Sequence, residues 1–279
     1  MARTFNGTSQ RLWRGSAPVL QPPLTLAVWV RPGRNSAYED VLGLSNTGQN
    51  HTGYFLQLRG PDSARAAAVT AQQGTFAIAR SADPYALDQW QHLTGVFSAT
   101  DRRRVYWNGR PGAEDTVAKT PGGLNRATVG AWESSGGVTA YFAGGAAEAA
   151  VWDVALSDAE ILALAQGDSP LLVRPDNLRA YWPLGGDFGE NDADQSGQAN
   201  DLTAEGGPGW TTHPPIRYPE PEPPPPPPPP PSGKPIPRFP ITAGRVWSAG
   251  AAAGRIAKHA RAAGIHVCGN RAGLVRTVS

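Results

Sequence analysis

The segment RYPEPEPPPPPPPPPSGKPIPRFP, residues 217–240, restricts what this chain can fold into more than any other stretch. Proline fixes its own φ and has no N–H to donate, so neither a helix interior nor a central strand can run through it. Residues 218–240 read as a polyproline II linker. At about 3.1 Å per residue, Pro219 to Pro240 spans roughly 60–70 Å when fully extended. A stiff spacer is preferred here to a ligand for a proline-recognition domain. Whatever folds must do so before or after it.

Charge divides at the same place. Residues 1–222 hold 17 Lys and Arg against all 23 Asp and Glu, a net −6, while residues 223–279 hold 8 Lys and Arg and no acid, a net +8. An acidic body with a basic tail implies different partners for the two parts. Glycine (33), proline (28) and a charged fraction of only 17% favour a turn-rich all-β body. Cys268 is the single cysteine, which excludes an internal disulfide. No stretch is long and apolar enough for a membrane span. The opening MARTFNGTSQRLW lacks the apolar run of a secretory signal.

Before the prolines, short apolar runs alternate with Gly, Pro, Asn and Asp: LTLAVWV, YFLQLRG, TFAIAR, HLTGVFS, RVYWNG, AAEAAVWD, LRAYWPL. This spacing predicts an antiparallel jelly-roll β-sandwich over residues 1–217. One helix is expected in ALSDAEILALAQGD, where Ser157 and Glu160 form a capping box and Gly167 ends it. In QWQHLTGVFSATDRRRVYWNGRPG, strand alternation puts Val105 and Trp107 on one face and Arg104 and Tyr106 on the other, with Asn108-Gly109 as the hairpin turn. The three arginines are expected to be solvated at a turn, and His92 to be a surface or edge histidine. On a body of this charge, nucleic-acid binding is not expected.

After the prolines, residues 241–279 form a small basic Ala/Gly-rich tail in which Ala-Gly recurs at Ala243, Ala253, Ala263 and Ala272. Two readings stay open: short strands that stack with copies or lie on another protein, and a basic helix over 251–263 weakened by its glycines. In either reading Arg245, Arg255, Lys258, Arg261, Arg271 and Arg276 are the anchoring residues.

Four ordered segments of the body resemble the laminin-G-like, concanavalin A-like lectin/glucanase jelly rolls. They are FNGTSQRLW with LTLAVWVRPG, the hairpin above, ATVGAWESSGGVTAYFAGGAAEAAVWDVALSDAEILAL, and LRAYWPLGGDFGENDADQSGQANDLT. The Tyr-Trp-Pro element often precedes the opening strand in that family. Here it follows the helix, and it is expected to fill the same sheet edge in permuted order. The resemblance raises a glycosidase, which needs paired carboxylates. Glu148 and Asp153 are five residues apart and fall on opposite strand faces, Asp158 and Glu160 belong to the helix cap, and the family's hydrolase signature is absent. No enzyme is expected.

No cofactor is required. Calcium is the one ion left open, with Asp187, Asp194, Asn200 and Asp201 as candidate ligands in a glycine-rich loop. The rival reading is that these residues build local turns. Ala143 and Asn6 stand where the family often has acids, which weighs against the ion. Among nine tryptophans, Trp13 and Trp132 are the candidates for stacking on a sugar.

The first expectation for function is a non-enzymatic display protein. Its lectin-like head is held off by the linker and anchored by its tail to an assembly, such as a phage virion (head decoration or tail component) or a fibre. The expected location is a virion or an extracellular surface. The alternative is a carbohydrate-binding module of a bacterial surface or exported protein, and a glycoside hydrolase ranks last.

Overall fold

The structure, a computed structural model, describes residues 1–220. The chain divides into two units, Met1–Pro223 and Pro224–Ser279. The first unit is described below. The rest of the linker and the whole tail, with Arg245, Arg255, Lys258, Arg261, Arg271 and Arg276, lie outside the described residues.

In chain order the strands are β1 (Ala2–Asn6), β2 (Arg11–Arg14), β3 (Leu24–Pro32), β4 (Tyr38–Ser45), β5 (Gly53–Arg59), β6 (Arg65–Gln72), β7 (Thr75–Pro84), β8 (Gln91–Ala99), β9 (Arg102–Trp107), β10 (Arg110–Asp115), β11 (Arg126–Val129), β12 (Trp132–Ser134), β13 (Gly137–Thr139) and β14 (Ala143–Trp152). Helix α1 (Asp158–Ala165) precedes β15 (Leu178–Trp182), β16 (Thr203–Glu205) and β17 (Gly209–Thr211). They form two large antiparallel sheets, ordered β10-β9-β8-β3-β14-β1-β17, with β15 also on β14, and β16-β2-β11-β4-β5-β6-β7. β12 and β13 make a separate small hairpin. The all-β sandwich with one short helix is therefore as expected.

Alternating residues of both sheets fill the space between them. Leu24, Leu26, Val28 and Val30 of β3 meet Tyr54, Leu56 and Leu58 of β5, with Phe97, Val105 and Trp107 in the same cluster. The intervening residues of the first sheet face outward, and α1 covers part of that face. Ile161 and Leu164 pack with Ala27, Val96, Tyr106, Ala150 and Trp152. The capping box forms as expected: Ser157 Oγ accepts from Glu160 N, while the Glu160 carboxylate accepts from Ser157 N. Tyr106 donates to Asp158 at 2.6 Å, fixing the start of α1 to the hairpin. The Asn108-Gly109 turn has positive φ at both residues (49° and 75°). A Cβ on Gly109 would lie 2.9 Å from Leu162 Cδ1, so glycine is needed there for contact as well as for φ.

Two expectations for the hairpin are corrected. His92 is 2% exposed and meets Trp29 edge-on at 5.4 Å between ring centroids. Burial lowers its pKa to about 3, so it is a neutral interior residue. Arg103 is fully buried rather than solvated. It pairs with Asp115 and donates to Thr100 O at 2.9 Å and Val117 O at 2.8 Å.

β14 carries two partners along one edge, β1 beside residues 143–146 and β15 beside residues 149–152. The Tyr-Trp-Pro strand thus pairs in this sheet despite its late position. At the junction Glu148 has φ 55°, and pairing with β3 slips between Ala147 and Ala150. That bulge overrides the simple alternation read from the sequence. The Glu148 carboxylate is 2% exposed and accepts from Tyr181 Oη at 2.6 Å and Tyr218 Oη at 2.9 Å, with His213 Nε2 at 3.3 Å. Burial first, and then the neighbouring Glu148, raise both tyrosine pKa values. Asp153 instead pairs with Arg179 at 2.5 Å. The chain holds to the domain through Tyr218, and Arg217 N donates to Gly167 O at 2.7 Å.

Glu148→Ala would leave the buried Tyr181 hydroxyl without its acceptor. A loss of about 2–3 kcal/mol is expected, read as a lower urea midpoint with an unchanged slope.

Candidate functional site

With the outer face of the first sheet partly covered by α1, the outer face of the second sheet is the surface on which to look for a site. Its outward residues are not uniformly polar. β5 presents Phe55, Gln57 and Arg59, β7 presents Phe76, Ile78 and Arg80, and β6 between them contributes the short Ala67, Val69 and Ala71 beyond Arg65. Short side chains between longer ones leave a depression. A cavity of about 300 Å³ lies here, lined by Tyr38, Asp40, His51, Phe55, Gln57, Arg59, Phe76, Ile78 and Ala140.

Cross-strand register sets its polar end. Tyr38 lies opposite Arg59, and Asp40 lies opposite Gln57. Accordingly the Arg59 guanidinium sits 4.5 Å from the Tyr38 ring centroid, and Gln57 Nε2 donates to Asp40 Oδ1 at 2.8 Å. Arg59 also donates to Gln57 Oε1. Asp62 closes this end, accepting from Arg59 Nε at 2.7 Å, Tyr38 Oη at 2.9 Å and Arg80 Nη2 at 3.3 Å. Those donors, Arg59 first, lower its pKa. Asp40 goes the other way: burial pushes its carboxyl up to about 8 against an ordinary 3.8.

The apolar end is aromatic. Phe76 is 46% exposed and Tyr38 44%, which leaves ring surface free on both sides of the cavity. His51, from the β4–β5 turn, meets Phe76 edge-on at 5.8 Å and stacks on Trp132 at 6.4 Å. Trp132 in turn packs on Phe55 at 4.4 Å.

Trp132 is therefore corrected as a ligand contact: it has no exposed surface and lies against Gly43 and Phe55, fixing the β12–β13 hairpin over the sheet. A Cβ on Gly53 would sit 2.9 Å from its Cη2, so the tryptophan needs that glycine. Trp13 lies on β2, outside the cavity, with Arg126 4.4 Å from its ring centroid. Arg126 and Arg11 both pair with Glu133, at 2.9 and 2.6 Å.

The acidic loop does not gather into an ion site. Both Asp194 oxygens are used: Oδ1 accepts from Tyr181 N and Ser196 N, and Oδ2 from Ser196 Oγ and Asn200 N, at 2.8–2.9 Å. Asp201 Oδ1 accepts from Asp194 N at 2.8 Å, and Asn200 Nδ2 donates to Arg179 O at 2.5 Å. Asp187 lies at the other end of the loop, beside Tyr218. Among the described residues no three His, Cys, Asp or Glu converge as metal ligands. These hydrogen bonds are those of local turns.

The family model described as "Concanavalin A-like lectin/glucanases superfamily" matches residues 7–162. The chain belongs to this family. The β15 strand and the acidic loop lie beyond the matched stretch. No curated protein matches the chain. Among solved structures, this superfamily member is similar to a putative carbohydrate binding protein from Bacteroides ovatus ATCC 8483 (16% identity, TM-score 0.55), covering 78% of this chain and 62% of that one. It is also similar to the heptameric SAP-like pentraxin of Limulus polyphemus (18% identity, TM-score 0.50), covering 58% of this chain and 80% of that one. At these identities the likeness is one of fold.

The raised Asp40 pKa fixes a stability trend. The unfolded chain gives up this proton near pH 3.8 and the folded chain only near 8, so Asp40 makes stability fall as pH rises across that window. Glu39, buried beside it, adds in the same direction. His92, buried neutral with its pKa lowered to about 3 from 6.5, opposes it at lower pH, and the net fall lies between about pH 6.5 and 8. Asp40→Asn is expected to remove most of the fall in thermal melts taken from pH 6.5 to 8.

Proposed function

We propose that the domain is a non-catalytic carbohydrate-binding module whose ligand lies in the Tyr38–Phe76 groove. The observation that carries this reading is the groove itself: the exposed rings of Tyr38 and Phe76 on its two sides, with a hydrogen-bonded row of Asp40, Gln57 and Arg59 in its lining. Aromatic faces offer apolar area for the C–H faces of a pyranose ring, and the polar row offers partners for its hydroxyls. Membership of a lectin/glucanase superfamily and the likeness to the Bacteroides protein support the same reading.

The polar row also argues against hydrolysis. Glycosidases hold two carboxyl groups free to work on the bond, whereas Asp62 is taken up by Tyr38, Arg59 and Arg80. The display reading ranks second. Its anchor, the basic tail, lies outside the described residues, and no observation bears on a virion or fibre.

A glycan array probed with the full chain is the direct test. At least one glycan class should bind, and Tyr38→Ala and Phe76→Ala should each weaken it about ten-fold or more, the equivalent of ~1.4 kcal/mol. Leu172→Ala, exposed and outside the groove, should leave binding unchanged. An array without hits, or equal loss in all three variants, would contradict the reading.

A further inference from the structure

We propose that the polar end of the groove is a subsite for a protonated amino group, so that the ligand class is a sugar with a free amine. This rests on the carbohydrate-binding reading and narrows it. Asp40 is 3% exposed and lines the cavity. Its Oδ1 accepts from Gln57 Nε2 at 2.8 Å, and its Oδ2 has no hydrogen-bond partner among the described residues. A carboxyl oxygen with no protein partner beside a ligand-sized space is open to a polar group of the ligand.

The groups around it favour a cationic donor. Arg59 is the guanidinium whose charge acts on Asp40. It donates to Asp62 and to Gln57 and lies on the Tyr38 ring. Arg80 reaches Asp62 at 3.3 Å. Glu39, on the same strand, carries a like charge and pairs with Arg34. His51 lines the cavity from the β4–β5 turn, and the 132–140 segment contributes only Ala140. Arg59 acts on Asp40 only through space and makes no hydrogen bond to it, so burial prevails and the carboxyl stays protonated through neutral pH. An ammonium group arriving there forms a charge-assisted hydrogen bond, and Asp40 gives up its proton to solvent. The faces of Tyr38, Phe55 and Phe76 around the same space attract a cation as well. A neutral hydroxyl can accept from the protonated acid, but it gains neither the charge-assisted bond nor the attraction of the rings for a cation.

The test is titration calorimetry of the full chain at pH 7 with glucosamine and galactosamine, their N-acetyl forms, and glucose and galactose. The free amines should bind at least ten-fold tighter than their hydroxyl and acetamide counterparts. Their binding should release close to one proton, read from heats in two buffers of different ionisation enthalpy. Asp40→Asn should bring the amines to the level of the hydroxyl sugars and abolish the proton release. Equal binding of amine and hydroxyl sugars, or an amine preference that survives Asp40→Asn, would overturn the proposal. Failure of the amines alongside hits for other glycans on the array would sink the amine subsite and leave the carbohydrate-binding reading standing. Failure of every glycan would remove both.

Discussion

Two packed sheets have four faces, and the sandwich depends on how each is kept from water. Two face each other across the core built from β3, β5, β8 and β9. A third carries α1, fixed by its capping box and by Tyr106. Only the fourth, the outer face of the β4–β7 meander, is left without a helix. Apolar groups there cannot be covered by the domain's main layers, so the β12–β13 hairpin with Trp132 covers part of it and the Tyr38–Phe76 groove remains. The groove follows from the layer arrangement, and its chemistry follows from which residues alternate outward.

The other sheet is closed by a device of a different kind. β14 takes β1 and β15 end to end along one edge, with Glu148 at the junction between them. The Glu148 carboxylate ties together β15 through Tyr181 and the chain leaving the domain through Tyr218. A buried carboxylate is costly unless its oxygens are satisfied. Here two hydroxyls donate to it, so the last described residues before the prolines are held by the core strand itself.

Much of the architecture was legible in the residues. The Asn108-Gly109 turn, the Ser157–Glu160 cap and the split of Val105 and Trp107 from Arg104 and Tyr106 are local chemistry, and each appears in the structure. The same alternation also places Arg103 with Val105 on the core side. That signal was available, but the triple arginine was read as a solvated turn. His92 was misread because alternation assigns a face without saying what covers it. The groove was missed for a related reason. Its residues come from β4, β5, β7 and two turns, with no fixed spacing, and only the register opposing Tyr38 to Arg59 and Asp40 to Gln57 assembles them. Trp132 looked like a binding residue because composition marks a tryptophan and says nothing of its burial.

The central claim is that ligand binds on the free face of the second sheet, and amide chemical-shift mapping with a glycan that binds the full chain tests it most directly. The account predicts shifts concentrated at Tyr38, Asp40, His51, Gln57 and Phe76. Shifts concentrated instead on α1, on the 185–201 loop or around Trp13, with the groove residues unmoved, would contradict it.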